Sequence, residues 1–455
     1  MFRVPLTFAM SMSMSMSMSH ALAPALALWL AWASCSAAAA EPPSAAAQLL
    51  TLDKAVGLAQ LRSRQLAGQD AAAAAAREMA LAAGQLPDPT LKAGVNNLPI
   101  DGADRFSLTR DFMTMRSVGV MQEFTRNDKL KARSARFERE AGVAAAGHAV
   151  ALAQLRRDTA VAWLDRHHLE RMREQLQLQR TEAALQIEAA DAAYRSGRGL
   201  QADVFAARSA AAAMEDRIRQ MDIQVATART KLSRWVGPDA EAPLAPPPSL
   251  VTAALQSGDL EAHLEHHPQV MLMASQEAVA RAEADIARSN KQSDWSVELM
   301  VSQRGSAYSN MVSVNVSVPL QWHPKNRQDR EVSARLALAE QIRAQRDELS
   351  REHVAEARSW LQQWRGNRGR LAQYDAALIP LAAERTQASI TAYRGGSGAL
   401  AAVLEARRME IDIRMERLRL EMETAGLWAQ LEYLIPARMS AFTPTDRQAP
   451  KEQRR

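Results

Sequence analysis

The sequence predicts a mainly α-helical protein with a small β part, built from a helix, hairpin, helix, helix unit that occurs twice. Glycine and aromatic residues are scarce over 455 residues, with 19 Gly and 5% Phe, Trp and Tyr, while Ala, Leu, Gln, Arg and Glu abound. That is the composition of long helices with coiled-coil seams. The stretch "AAYRSGRGLQADVFAAR" at 192–208 is echoed by "TAYRGGSGALAAVLEAR" at 391–407, which marks an internal duplication. Each half also holds one place where helical periodicity gives way to alternation, the signature of paired strands.

The chain opens with Arg3, a Met-Ser alternation, the apolar run "ALAPALALWLAW" and the small residues "ASCSAAAA". This reads as a secretory signal peptide over 1–40, with Ala38 and Ala40 in the small-residue positions before the cut. Cys35 offers a lipid-anchor alternative, in which cleavage falls just before it; Trp32 stands where lipoprotein signals carry Leu and weighs against it. Both readings take the protein out of the cytoplasm. With one cysteine there is no intramolecular disulfide, so stability must come from packing or assembly.

The first repeat spans 41–240, with helix over about 45–86, strands at about 90–98 and 115–124, helix over about 128–194, a tip turn at 194–204 and helix to about Trp235. Prolines in "VGPDAEAPLAPPPSL" keep the chain out of helix and set an extended connector, 241–258. The second repeat, 259–436, runs in the same order: helix over about 260–290, strands at about 294–303 and 310–322, helix over about 327–393, a tip turn at 393–403 and helix to about Leu434. Residues 437–455 read as a polar, disordered tail.

After each glycine turn the apolar residues advance by four and three. Met214, Ile218, Met221, Val225, Ala228, Leu232 and Trp235 form one seam; Ile411, Met415, Leu418, Met422, Ala425 and Ala429 form the other. Such seams want a partner helix, and packing accounts for their methionines better than a metal relay does. A helix of more than sixty residues is about 90 to 100 Å long, so the molecule is expected to be elongated.

In "DWSVELMVSQRG", Trp295, Val297, Leu299 and Val301 share one face while Ser296, Glu298, Met300 and Ser302 share the other. In "NMVSVNVSVPLQW", Val312, Val314, Val316 and Val318 alternate with Ser313, Asn315 and Ser317. The first half is weaker but parallel, with Leu91, Ala93, Val95 and Asn97 in one strand and Val118 and Val120 in the next. Apolar residues on one side and polar ones on the other suit a barrel strand between lipid and a wet lumen. Lys92, Glu298 and Asn315 then line the interior, and Trp295, Trp322 and Phe124 suit an interfacial girdle. No uncharged apolar run after the signal reaches the ~18 to 20 residues of a spanning helix. Four strands cannot close a barrel whose smallest known form has about eight, so insertion requires several chains. The alternative is a pair of hairpins packed on a soluble periplasmic domain.

These residues carry a resemblance to a known family. "GQLPDPTLKAGVNNLP", "SVGVMQEFTR", "HHPQV" and above all the two glycine stretches resemble the TolC-like outer-membrane efflux channels, and among them the heavy-metal and cation branch. The resemblance implies a homotrimer pooling four strands per chain into a twelve-stranded outer-membrane β-barrel, continued by a long periplasmic α-helical barrel. It implies contact with outer-membrane lipid, a periplasmic adaptor (membrane fusion) protein and an inner-membrane resistance-nodulation-division type pump, with no cofactor. By the same resemblance, the periplasmic tip that meets the adaptor and closes the pore comprises Tyr194, Arg195, Gly197, Gly199, Asp203 and Val204, with Tyr393, Arg394, Gly396, Gly398 and Val403.

The chain departs from that pattern in two ways. Leu200 and Ala399 replace the usual hydroxyl N-cap, leaving Gly199 and Gly398 as the expected caps. The acid before the valine is Asp203 in one repeat but Ala402 in the other, so the aperture candidates are Asp203 and Glu405.

Chemistry finds little support. The spacing of His263 and His267 could place both on one helical face, as a metal site requires. Pro268 beside them belongs at a helix start, which favours a structural role. His167 and His168 read as solvated surface, and His323-Pro324 as a strand terminator. No nucleophile motif, phosphate loop or carboxylate pair stands in a catalytic context. The formal charge of +5 is small against 56 basic and 51 acidic residues, and no basic block with interleaved aromatics supports nucleic-acid binding. Two function classes remain: a passive efflux duct, for heavy-metal cations or for drugs and other small molecules, and a soluble periplasmic coiled-coil scaffold.

Overall fold

The computed structural model describes residues 49–252 and 264–434. The expected signal peptide with Cys35, residues 253–258 of the connector, His263 and the tail at 437–455 lie outside the described residues. The helix α1 (Leu52–Arg62) starts where the Thr51 hydroxyl accepts the Lys54 N–H at 3.2 Å. The single helix expected over 45–86 is instead two. Ser63 turns extended, and its hydroxyl accepts the Leu66 N–H at 3.3 Å to cap α2 (Arg64–Ala83).

Strands β1 (Thr90–Asn96) and β2 (Met115–Phe124) follow, then α3 (Asn127–Arg195) and α4 (Gln201–Val236). The second half holds α5 (Pro268–Ser289), β3 (Trp295–Gln303), β4 (Met311–Ser317), α6 (Gln328–Gln373), α7 (Ile379–Arg394) and α8 (Leu400–Glu432). With 69 residues, α3 is about 100 Å long. The corresponding helix expected over 327–393 is interrupted by one π-helical turn, Tyr374–Leu378. Pro380 has no N–H to return to the preceding turn, and the wider π turn absorbs the mismatch.

The two halves join at a waist. Leu50, Trp163, Leu232, Trp364, Trp428 and Ala429 pack there in one apolar cluster. The connector is held onto it by main-chain and indole bonds: Leu50 N–H to the Pro243 carbonyl at 2.9 Å, Trp163 Nε1 to the Leu50 carbonyl at 3.0 Å, and Trp428 Nε1 to the Thr252 carbonyl at 2.9 Å. The fully buried Arg166 donates to the carbonyls of Ala240 and Ala242 and pairs with Glu170 at 2.9 Å. On the side away from the sheet, Met214, Ile218 and Met221 of α4 meet Ile411, Met415 and Leu418 of α8 across Met172 and Leu176 of α3. The methionines of both seams therefore fill an apolar core.

The strands form one antiparallel sheet in the order β1-β2-β3-β4. β4 stops at Ser317, short of the 310–322 expected, because Pro319 cannot donate to the ladder; β1 ends at Asn96, after which Asn97 turns to φ 55°. Trp322 consequently lies beyond the strand. Register puts Leu91, Val120, Leu299 and Val314 in one cross-strand row, and Ala93, Val118, Val301 and Val312 in the next.

His168 contradicts the expectation of a solvated surface. It is 1% exposed, with both ring nitrogens unpartnered, and burial pushes its pKa down to about 3. His167 stacks on Trp163 with ring centroids 5.6 Å apart. Both face the inter-helix packing, which an adjacent pair on an otherwise polar helix does not reveal. His267 is the N-cap of α5: its Nδ1 accepts the Gln269 N–H at 3.3 Å, and its ring lies 4.1 Å from that of His353. Burial and the neighbouring His353 push its pKa down from 6.5 to about 4.

A depressed histidine pKa stabilises the fold above the unfolded value and loses that stability as pH falls through the folded one. The melting temperature is therefore expected to drop between pH 6.5 and about 4. His267→Asn, which keeps a capping acceptor but does not titrate, should melt near wild type at pH 7.5 and show a smaller acid-side drop. An unchanged acid slope in differential scanning calorimetry would remove His267 from this account.

Candidate functional site

Two places hold the features a conduit would use: the glycine turns and the sheet. At the first turn α3 ends at Arg195, and Gly197 takes φ 72°; at the second α7 ends at Arg394, and Gly396 takes φ 75°. The bonds repeat. Arg198 and Gly199 N–H donate to the Ala193 carbonyl at 2.9 and 3.0 Å; Ser397 and Gly398 N–H donate to the Ala392 carbonyl at 3.0 and 3.1 Å. Gly197 and Gly396 are needed for the left-handed backbone. Gly199 and Gly398 are needed for close approach, since a Cβ on either would sit 3.0 Å from an alanine Cβ of the preceding helix.

The caps differ from expectation. Leu200 and Ala399, not Gly199 and Gly398, occupy the N-cap positions with extended backbones. Asp203 serves the first: its carboxylate accepts the Leu200 N–H at 3.2 Å. The second repeat has Ala402 at that place, so the Ala399 N–H has no equivalent acceptor. Sequence reasoning placed Asp203 at an aperture; what the structure shows is a carboxylate that holds a turn.

Val204 and Val403 are buried in one cluster with Ala190, Ala207 and Leu400, against which Tyr393 packs. The two tips of one chain are therefore bound to each other by apolar contact. Tyr194 and Arg394 are exposed at the end, as is Arg195, which pairs with Asp191. Glu405 is exposed and lines a groove of about 550 Å³ with Gln179, Met214 and Arg408. Ion pairs missed in the sequence join the two helical hairpins: Glu182 with Arg407, Arg217 with Asp412 at 2.8 Å and Arg171 with Glu421 at 3.3 Å. Their partners lie 195 to 250 residues apart, at no helical spacing, so no local pattern announces them.

The sheet is inside-out by the standard of a water-soluble protein. Val312, Val314 and Val316 are 68%, 64% and 63% exposed, and Val118, Val120, Leu299 and Val301 are exposed beside them. On the opposite face Ser117 and Ser302 are buried, and Lys92 reaches across β2 to Glu298 at 3.2 Å. In register Gly119 pairs with Lys92 on one side and Met300 on the other, while Glu298 stands opposite Met121; a Cβ on Gly119 would stand 2.7 Å from the Leu299 carbonyl. At the end of the sheet nearest the helices, Phe124 stacks on Trp295 at 4.4 Å, and Lys129 pairs with Asp294. Both outer strands, β1 and β4, have one unpaired edge.

Among the described residues no helix is long and apolar enough to cross a membrane, and no group of three or more His, Cys, Asp or Glu is placed to hold a metal ion.

Long paired helices carry a four-stranded sheet with its apolar face outward, an architecture shared with a class of solved proteins, the outer-membrane channels. The fold is that of solved members of this class. The chain is similar to the outer membrane protein VceC of Vibrio cholerae at TM-score 0.68 and 17% identity, over 84% of this chain and 95% of that one. It is similar to the outer-membrane channel OprN at TM-score 0.70 and 16% identity, over 84% and 89%. CusC, described for conformational changes accompanying folding and transmembrane channel formation, matches at TM-score 0.66 and 14% identity, over 85% and 92%. Compared by sequence, the chain matches no family model and no curated protein.

Hydrogen exchange tests the cap. Asp203→Ala should speed exchange of the Leu200 amide, and Asp203→Glu, which can reach the same donor, should restore it. Equal rates in all three proteins would contradict the assignment.

Proposed function

We propose that the protein is the passive outer-membrane exit duct of a tripartite efflux system, acting as a homotrimer with a periplasmic adaptor and an inner-membrane pump. The observation that carries this reading is the sheet. Its exposed apolar face suits lipid, its polar face, buried at Ser117 and Ser302 of the central strands, suits a wet lumen, and its two free edges suit pairing with neighbouring copies. Three copies supply twelve strands, with β4 of each pairing β1 of the next. The helices continue the pore into the periplasm, and the glycine turns form its far end. The channel neighbours are consistent with a conduit rather than an enzyme.

The tip residues take their roles from position. Tyr194, Arg195 and Arg394 offer the adaptor an exposed rim, while Val204 and Val403 keep each chain's two turns together. Exposed ion pairs are worth about 0 to 1 kcal/mol each. The three pairs joining the hairpins therefore hold the tip closed only weakly, within reach of the energy an adaptor supplies on binding. Asp203 and Glu405 set charge near the aperture. For the cargo, our reading is heavy-metal cations, supported by the motif resemblance; drugs or other small molecules are the alternative. Trp295 and Phe124 serve as an interfacial girdle on the side of the helices, with Trp322 beyond the strand.

Expressed with its signal, the protein should be recovered from outer-membrane fractions as a detergent-requiring, heat-sensitive trimer. In planar bilayers that trimer should conduct, and Asp203→Ala or Glu405→Ala should change leak conductance and lower cation selectivity. A monomer in the osmotic-shock supernatant would end the duct reading in favour of a periplasmic scaffold. Unaltered conductance and selectivity in both variants would remove these residues from the aperture.

A further inference from the structure

We infer that the loop end of the sheet binds a phosphorylated lipid of the surrounding leaflet, its phosphate on Arg116 and Arg304 and an acyl chain along the valine face. This rests on the outer-membrane reading and adds a ligand to it. Register places Arg116 on the same face as Val118 and Val120, opposite Val95 on one side and Gln303 on the other. An arginine on a lipid-facing surface costs about 2 to 4 kcal/mol at the bilayer midplane and about 0 to 1 near the interface. Arg116 is the second residue of β2, at the loop end, where its head belongs among polar lipid groups.

Neither guanidinium is matched by an acid of the described residues. Arg116 is exposed, and it has no ion pair among them. Arg304 is half-buried, and its donors reach only the carbonyls of Ser309 and Phe112, both at 3.4 Å, the long end of hydrogen bonding. The nearby acids are engaged elsewhere: Asp104 pairs with Arg110 at 3.5 Å, and the Asp111 carboxylate accepts the N–H groups of Met113 and Thr114. Arg304 also lies over the Tyr308 ring, 5.5 Å from its centroid, so what this partly desolvated guanidinium lacks is a counter-charge, and a phosphate offers it two parallel charge-assisted bonds.

The surroundings fit such an amphiphile. Arg116 and Arg304 line a polar notch of about 450 Å³ with Thr109, Gln303, Ser306 and Tyr308, whose hydroxyls and amide can donate to further phosphate oxygens. Arg116 and Gln303 also border a shallow groove of about 450 Å³ that continues over Ala93, Val95, Val118 and Val301. The notch thus opens onto an apolar track on the face turned to lipid. A free phosphate ion would use the first and leave the second empty.

Native mass spectrometry of the detergent-purified trimer tests this with bisphosphorylated lipid A as the probe. Wild type should retain it at concentrations about tenfold lower than Arg116→Gln does, the loss of one charge-assisted contact, and lower still than the Arg116→Gln/Arg304→Gln pair. Lipid A stripped of its phosphates should not distinguish the three proteins. Equal retention by wild type and Arg116→Gln would overturn the inference while the heat-sensitive trimer left the duct reading standing. Displacement by millimolar inorganic phosphate, with binding independent of acyl chains, would assign the notch to a free anion and overturn the lipid. Failure to recover any trimer would sink the duct reading, and this inference with it.

Discussion

Backbone amides and carbonyls in hydrocarbon have no water to bond with, so every one must find a partner in protein. On the duct reading, that constraint organises the whole molecule. A chain that turns a valine face outward can meet it only if no strand edge is left open, and four strands in the order β1-β2-β3-β4 leave two. Assembly is then a condition of insertion rather than an embellishment of it. The duplication follows the same logic, because each half contributes one hairpin to the sheet and one pair of long helices to the body. The waist cluster around Trp163, Trp364 and Trp428 joins the halves so that both hairpins present one continuous face.

Much of this was legible in the sequence because it depends on period. Alternation in "NMVSVNVSVPLQW" separates an apolar face from a polar one without any knowledge of neighbours, and the register across all four strands respects it. The four-and-three advance of Met214, Ile218 and Met221 announces a buried seam in the same way. Features that depend on one residue's chemical exception were harder to place. The break at Ser63 and the π turn before Pro380 interrupt helices whose periodicity continues across them. His168 sits on a polar stretch of α3 and is buried only because a second element covers it.

The tip shows how position and role separate. The glycines were visible as two pairs, and the resemblance carried them to the pore end, but their division of labour needed backbone angles. One of each pair supplies a positive φ, and the other makes room for the chain to fold back. Asp203 is the clearest case of a residue with two readings, because a carboxylate that caps a helix also places negative charge at the turn. Its absence from the second repeat makes the two turns alike in fold and unequal in both stability and charge. The cross-hairpin ion pairs add a screened, salt-sensitive term to a contact that is otherwise apolar.

The central claim is that the valine face meets lipid and the serine face meets water. Single nitroxide labels placed in turn at residues 311–317 of the assembled protein in bilayers measure this directly. Accessibility to oxygen should peak at 312, 314 and 316, and accessibility to a water-soluble nickel complex at 313, 315 and 317, alternating with period two. Uniform access to the nickel complex along the strand, or the opposite phase, would contradict the account.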